Sequence, residues 1–192
     1  MKIGLFFGSF NPIHIGHLAL ANYFVEFTDL DKIWFVVSPQ NPLKKRAVLL
    51  NDYDRLHLVR LAINDYFEKY EVSDIEFSMP KPSYTIDTLT YLSEKYPENE
   101  FILIMGEDNL QTLHKWKNYE VLIQNYKIYV YPRKGFDSKA LDLKANYTIF
   151  DSPIIEISSS FIRNAIREGK NVDFFMHPKV AKYIFEMNFY KT

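Results

Sequence analysis

The chain has 192 residues, of which 47% are hydrophobic and 24% charged, with a formal net charge of −1. That length buries roughly 70% of the unfolded surface without staples, and the lack of cysteine excludes a disulfide framework, a thiolate metal site and a cysteine nucleophile. The near-neutral charge argues against sequence-independent nucleic-acid binding, which carries a basic excess, and no stretch approaches the ~18 apolar residues of a membrane span or a signal peptide's core, so a cytoplasmic protein without nucleic acid or membrane as partner is expected.

Residues 3–7 are a continuous apolar run, the pattern of a strand buried on both faces. A turn, Gly8-Ser9-Phe10-Asn11-Pro12, leads into a helix over 15–27. A second buried strand is predicted at 33–37, followed by a polar, proline-containing loop over 38–50. Leu56, Val59, Ile63 and Phe67 recur at helical spacing and predict one amphipathic helix over 52–70. A shorter strand follows at 72–77, then a helix over 84–96 with Ser83 as its N-cap. Strands are predicted at 101–105 and 128–131, with a loop over 132–143 and short strands at 148–150 and 154–157. A helix over 158–168 closed by Gly169, and a last one over 179–187, complete the chain.

Strands alternating with helices imply an α/β fold with a Rossmann-like, doubly wound, mostly parallel sheet and a small C-terminal helical region. No repeat or composition break divides the chain, so 1–192 is expected to be a single domain. Ligands of such sheets bind beyond the carboxyl ends of the strands. The informative positions therefore follow Phe7, Val37, Met105 and Tyr131, with the helix start at Ser158.

The first of these loops places Gly8, Ser9 and Phe10 after a buried strand and His14-Ile15-Gly16-His17 at a helix start. Backbone N–H groups there favour an anion, and histidines three apart share one helix face. Gly16 removes a side chain between them, leaving room for a flat base or ribose. Fixed imidazole donors stabilise charge building on a phosphate. Ser158, Ser159 and Ser160 open another helix with Arg163 in its first turns, which makes a receptor for two or three phosphates. Gly106 and Asp108 follow a strand, where a carboxylate accepts from ribose hydroxyls.

His14-Ile15-Gly16-His17 at the first βα junction resembles the nucleotidyltransferase superfamily. Most of the chain is similar to one of its families, the nicotinate-nucleotide adenylyltransferases. The matching segments, in order, are Gly8 through His17, Pro39-Gln40-Asn41-Pro42-Leu43-Lys44, Ser83-Tyr84-Thr85-Ile86-Asp87-Thr88-Leu89, Gly106-Glu107-Asp108, Trp116, and Ile157-Ser158-Ser159-Ser160-Phe161-Ile162-Arg163. The resemblance implies transfer of AMP from ATP to nicotinic acid mononucleotide, giving deamido-NAD and pyrophosphate. His14, His17, Lys44 and Arg163 would be catalytic. Gly8, Ser9, Phe10, Gly16, Gly106, Asp108, Ile157, Ser158, Ser159 and Ser160 would join the histidines and Arg163 in binding ATP, and Asn11, Lys44, Tyr84, Thr85 and Trp116 would bind the acceptor. Mg²⁺ would travel on the ATP phosphates, with no metal ligand assigned to the protein.

Ser9 and Asn11 stand where threonine and aspartate are more usual in the bacterial enzymes, and the asparagine resembles the version in dual-specificity enzymes. Acid or amide acceptor therefore stays open, as does a homo-oligomer. The alternatives are a phosphopantetheine or cytidylyl transferase of the same superfamily and a nucleotide-binding module without catalysis.

Overall fold

The computed structural model describes residues 1–39, 49–136 and 146–191. The segment carrying Lys44, Lys45 and Arg46 lies outside the described residues. Six strands, β1 (Lys2–Gly8), β2 (Lys32–Val37), β3 (Tyr70–Ser73), β4 (Glu100–Gly106), β5 (Ile128–Tyr131) and β6 (Tyr147–Ile149), form one sheet in the order β3-β2-β1-β4-β5-β6. Every pairing is parallel. The order reverses direction between β1 and β4, the switch point at which open sheets place their ligands.

The apolar runs are continuous because both faces of the sheet are covered. Phe6, Phe35, Ile102 and Ile104 turn to one face, under α1 (Ile15–Phe27), α2 (Asp52–Ile63), α6 (Ser159–Arg167) and α7 (Pro178–Glu186). Ile3, Leu5, Trp34, Val36 and Leu103 turn to the other, under α3 (Thr85–Lys95), α4 (Glu107–Gln111) and α5 (Tyr119–Asn125). The period of two along β1 thus builds two separate cores from one strand. No helix among the described residues is long and apolar enough to cross a membrane.

Several local expectations are corrected. The helix predicted over 52–70 stops at Ile63 and passes through a 3₁₀ turn, Asn64–Tyr66, into β3. Leu56, Val59 and Ile63 are buried, but Phe67, counted in the same stripe, is 70% exposed. The strand predicted at 72–77 is β3 followed by a 3₁₀ turn, Ile75–Phe77. Ser83 does not cap α3; Tyr84 is the N-cap, and Ser83 donates its hydroxyl to buried Glu76 (2.9 Å). Residues 154–157 form no strand: β6 pairs only with β5, and the chain after it leaves the sheet to line a cleft. Helices α4 and α5, and the 3₁₀ turn Leu113–Lys115 between them, were not anticipated.

Candidate active site

The turn after β1 is held by side chains from three distant segments. Gly8 ends β1 opposite Val37, and its carbonyl accepts from Ser38 N (2.9 Å). A Cβ at Gly8 would stand 2.8 Å from the Phe10 ring, so glycine is what lets that ring fold back beneath the strand end. Phe10 sits at φ 44° and is 1% exposed, edge-on to Phe6, Phe35 and His17. Its side chain is therefore a core element, and any contact it makes with a nucleotide is through its backbone.

Beyond Phe10 the turn runs through the cis peptide Asn11–Pro12 to His14, the N-cap of α1. The Asn11 carbonyl accepts from Arg163 Nη1 (2.7 Å), and the Pro12 carbonyl from Ser159 Oγ (2.9 Å). The start of α6 is thereby docked on the start of α1, although about 150 residues separate them in the chain. Arg163 Nη2 also donates to Ser160 Oγ (3.1 Å), and Ser158 caps α6 by accepting from Phe161 N (3.2 Å).

The His14 and His17 rings stack with centroids 3.7 Å apart and 29° between planes. His14 N donates to His17 Nδ1 (3.3 Å), which places the proton of a neutral His17 ring on Nε2. His14 is buried, and its Nδ1 has no hydrogen-bond partner among the described residues. Burial, with a smaller contribution from the Arg133 guanidinium, pushes its pKa down to about 4, so the ring is neutral near pH 7. Gly16 serves this ring: a Cβ there would lie 3.1 Å from His14 Cε1 and Nδ1. The space expected for a flat ligand is in part the space that His14 occupies.

A cleft of about 350 Å³ opens beside this junction, with Leu20, Asp108, Tyr131, Arg133, Ile157 and Ser158 among its walls. Gly106 ends β4 under it, and a Cβ there would lie 2.4 Å from Asp108 Oδ1. Asp108 lies 3.8 Å from Arg133 Nε, while Arg133 Nη2 donates to the Tyr131 hydroxyl (3.2 Å). A wider depression of about 480 Å³ lies at the opposite end of the strands, lined by Lys2, Asp29, Asp31, Glu98 and Glu100. Its anionic lining has the wrong sign for phosphate, so the carboxyl end is the candidate site.

Tyr84 and Thr85 form the start of α3, and Trp116, partly buried, follows the Leu113–Lys115 turn. The two segments meet through Lys117, which pairs with Asp87 (2.8 Å) and lies 4.8 Å above the Tyr84 ring. Glu76, 2% exposed, accepts from Ser83 Oγ and Thr88 Oγ1, both at 2.9 Å, and so ties down this segment from below. Burial raises the Glu76 pKa, and hydroxyl donors including Ser38 oppose the rise.

Residues 5–165 match the cytidylyltransferase-like family model. A Flavobacterium johnsoniae protein named a probable nicotinate-nucleotide adenylyltransferase is 58% identical, with both chains covered in full. The chain belongs to the nicotinate-nucleotide adenylyltransferase family. A relative of the same name from Bacteroides fragilis is 52% identical over 96% of this chain and 92% of its own. The solved structure of Plasmodium falciparum nicotinic acid mononucleotide adenylyltransferase complexed with NaAD superposes with a TM-score of 0.83, covering 99% of this chain and 97% of that one. At 24% identity that likeness speaks for the fold, which is shared across the family.

Sequence reasoning missed Arg55. It is fully buried on α2 and donates to three backbone carbonyls: Ser9 (2.5 Å) and Ser38 (2.9 Å) through Nη1, and Leu50 (3.2 Å) through Nε. Nη2 pairs with Asp52 (2.6 Å). The signal was present in the sequence, because Arg55 falls on the helical stripe of Leu58, Val59 and Ala62, where a charge requires partners. Asn11 is also placed differently from a simple ligand contact: it is 1% exposed, and its Oδ1 accepts from Leu50 N (3.2 Å) and the Tyr190 hydroxyl (2.8 Å).

Replacing Arg55 with Met strands those three carbonyls and leaves Asp52 with Lys81 alone (3.3 Å), and is expected to cost about 3 kcal/mol or more. Urea denaturation measures it; a loss below 1 kcal/mol would remove Arg55 from this role. His14 generates a pH dependence. Its folded pKa is about 4, against an unfolded value near 6.5, so between those values the unfolded chain holds a proton that the folded chain lacks. Stability is expected to rise by about 3 kcal/mol for this group from pH 4 to 6.5. In a pH series of urea melts, His14→Gln should flatten that rise, and an unchanged slope would refute it.

Proposed function

We propose that this chain transfers AMP from ATP to nicotinic acid mononucleotide and releases pyrophosphate. The observation that carries the reading is the docking of α6 on the turn before α1, through Arg163 on the Asn11 carbonyl and Ser159 on the Pro12 carbonyl. It joins the imidazole pair and the serine-rich helix start into one junction with hydrogen-bond donors for a row of phosphates. The 58% identity to a relative named for this activity supports the same reading.

A phosphate oxygen of the acceptor forms a bond to the ATP α-phosphorus, and the bond from that phosphorus to the α–β bridging oxygen breaks. A phosphate monoester is anionic near neutral pH, so no general base and no covalent intermediate is needed, and catalysis is positioning plus charge stabilisation. His17 donates through Nε2–H to the charge that develops on the α-phosphate. His14, neutral in its buried position, contributes a hydrogen bond but no positive charge. Arg163, the Ser160 hydroxyl and the backbone N–H groups at the start of α6, that of Ser159 among them, receive the departing pyrophosphate. The cleft between Asp108 and Ile157 seats the adenosine, and Tyr84, Thr85 and Trp116 bound the acceptor; Lys44 is assigned to the substrate phosphates on the family resemblance alone, and Asn11 shapes the turn from inside.

Magnesium enters as part of the MgATP substrate. Among the described residues no group of three or more histidine, cysteine, aspartate or glutamate side chains gathers to hold a cation. The donors at the junction are imidazole, hydroxyl and guanidinium, which suit phosphate oxygens, and a metal that keeps its ligands on the phosphates is the usual arrangement for Mg²⁺.

Pyrophosphate release from MgATP, measured in parallel with nicotinic acid mononucleotide, nicotinamide mononucleotide and phosphopantetheine, should be fastest with the first. Turnover with phosphopantetheine alone, or with none of the three, defeats the reading. His17→Ala should lower kcat about 10²- to 10³-fold with little change in ATP affinity, as removal of a transition-state donor does. A kcat unchanged by this substitution takes His17 out of the mechanism.

A further inference from the structure

Two charged residues beside the proposed acceptor walls have no task in the transfer. Asp87 stands in the first turn of α3, beyond Tyr84 and Thr85, and Lys117 follows Trp116. Lys117 Nζ donates to both Asp87 oxygens, at 2.8 Å to Oδ2 and 3.1 Å to Oδ1. The same ammonium lies 4.8 Å from the centre of the Tyr84 ring.

As a strut the pair has little to add. Lys117 and Asp87 are 42% and 40% exposed, and exposed ion pairs contribute little to stability. Helix α3 is already anchored from below by Glu76, through Ser83 and Thr88, and by buried Ile86, Leu89 and Leu92. What the pair does supply is charge at the acceptor wall. The two charges do not cancel there, because the ammonium lies over Tyr84, the N-cap of α3, while the carboxylate belongs to a residue further along the helix.

Nicotinic acid mononucleotide and nicotinamide mononucleotide share ring, ribose and phosphate. They differ in the ring substituent, an anionic carboxylate in one and a neutral carboxamide in the other. A nearby charge therefore acts differently on the two through that group alone. It needs no uncommitted N–H to do so, since Coulomb attraction between partly exposed charges extends over about 8 Å at physiological ionic strength.

We propose that the Asp87–Lys117 pair sets the acid-against-amide preference of the acceptor site: the ammonium favours the carboxylate, and Asp87 holds that preference down. This rests on the proposed reading of Tyr84, Thr85 and Trp116 as the acceptor walls.

The test is the ratio of kcat/KM for nicotinic acid mononucleotide to that for nicotinamide mononucleotide, in the wild-type chain and in Lys117→Met and Asp87→Asn. Where one acceptor turns over too slowly to measure, its inhibition constant against the other takes its place. K117M is expected to lower the ratio about three- to tenfold, and D87N to raise it about two- to fivefold. Both variants break the same ion pair, so a purely structural role moves the ratio in one direction for both, or not at all, and either result overturns the proposal. KM for ATP should stay within about twofold in each, and K117R, which keeps the charge, should keep the wild-type ratio. Raising KCl from about 0.05 to about 0.5 M should shrink both shifts, because screening acts on exposed charges; shifts that ignore salt refute the electrostatic role. Wild-type turnover with neither mononucleotide would instead sink the functional reading, and this proposal with it.

Discussion

The site depends on how the backbone carbonyls of the turn after β1 are satisfied. Where a buried strand ends and the chain must swing into a helix, the carbonyls of Ser9, Asn11 and Pro12 face the protein interior without ladder partners. Each is met by a side chain from a distant segment: Arg55 from α2, and Arg163 and Ser159 from α6. An unpaired buried carbonyl costs on the order of 1–3 kcal/mol, so these bonds decide where the turn lies, and with it where His14 and His17 stand. Tyr190 and Leu50 add the same constraint on the Asn11 side chain.

This arrangement also governs the electrostatics. Both guanidiniums at the junction are engaged with protein acceptors: Arg55 with carbonyls and Asp52, and Arg163 with Asn11 and Ser160. Because they are held this way, the positive charge is fixed before any phosphate arrives, and little reorganisation remains for the moment of reaction. His14 contributes no charge, because burial keeps it neutral beside the Arg133 guanidinium. The stacked imidazoles can therefore lie 3.7 Å apart without repulsion between two cations.

The proposed acceptor side follows the same rule. Glu76 is a buried carboxylate that holds Ser83 and Thr88, and Lys117 bridges from the Trp116 segment to Asp87 and the Tyr84 ring. Ser83, expected as an N-cap, and Tyr84 are placed by Glu76 beneath them and Lys117 beside them. Ser83 illustrates the shift: serine favours N-cap positions, and here a buried carboxylate takes its hydroxyl instead.

Much of this molecule was legible locally. Continuous apolar runs mark strands covered on both faces, and β1, β2, β4 and β5 fall where those runs lie, since burial on two faces leaves no polar positions to alternate. The histidine pair and the serine-rich helix start follow from side-chain type and helical spacing, which act over a few residues. Local pattern failed at Phe67, which keeps the helical period yet lies in solvent, and at residues 154–157, where apolar residues line a cleft. The amino-acid sequence by itself determined the α/β class, the imidazole, hydroxyl and guanidinium residue types of the candidate site, and the family. Only the tertiary structure decided that Arg55 and Glu76 support the two halves of the site, that Phe10 belongs to the core, and that Tyr190 reaches Asn11. The contacts of Arg55 with Ser9, of Glu76 with Thr88 and of Tyr190 with Asn11 join residues 46, 12 and 179 positions apart, and desolvation determines the partner of each polar group only once the chain has closed around it.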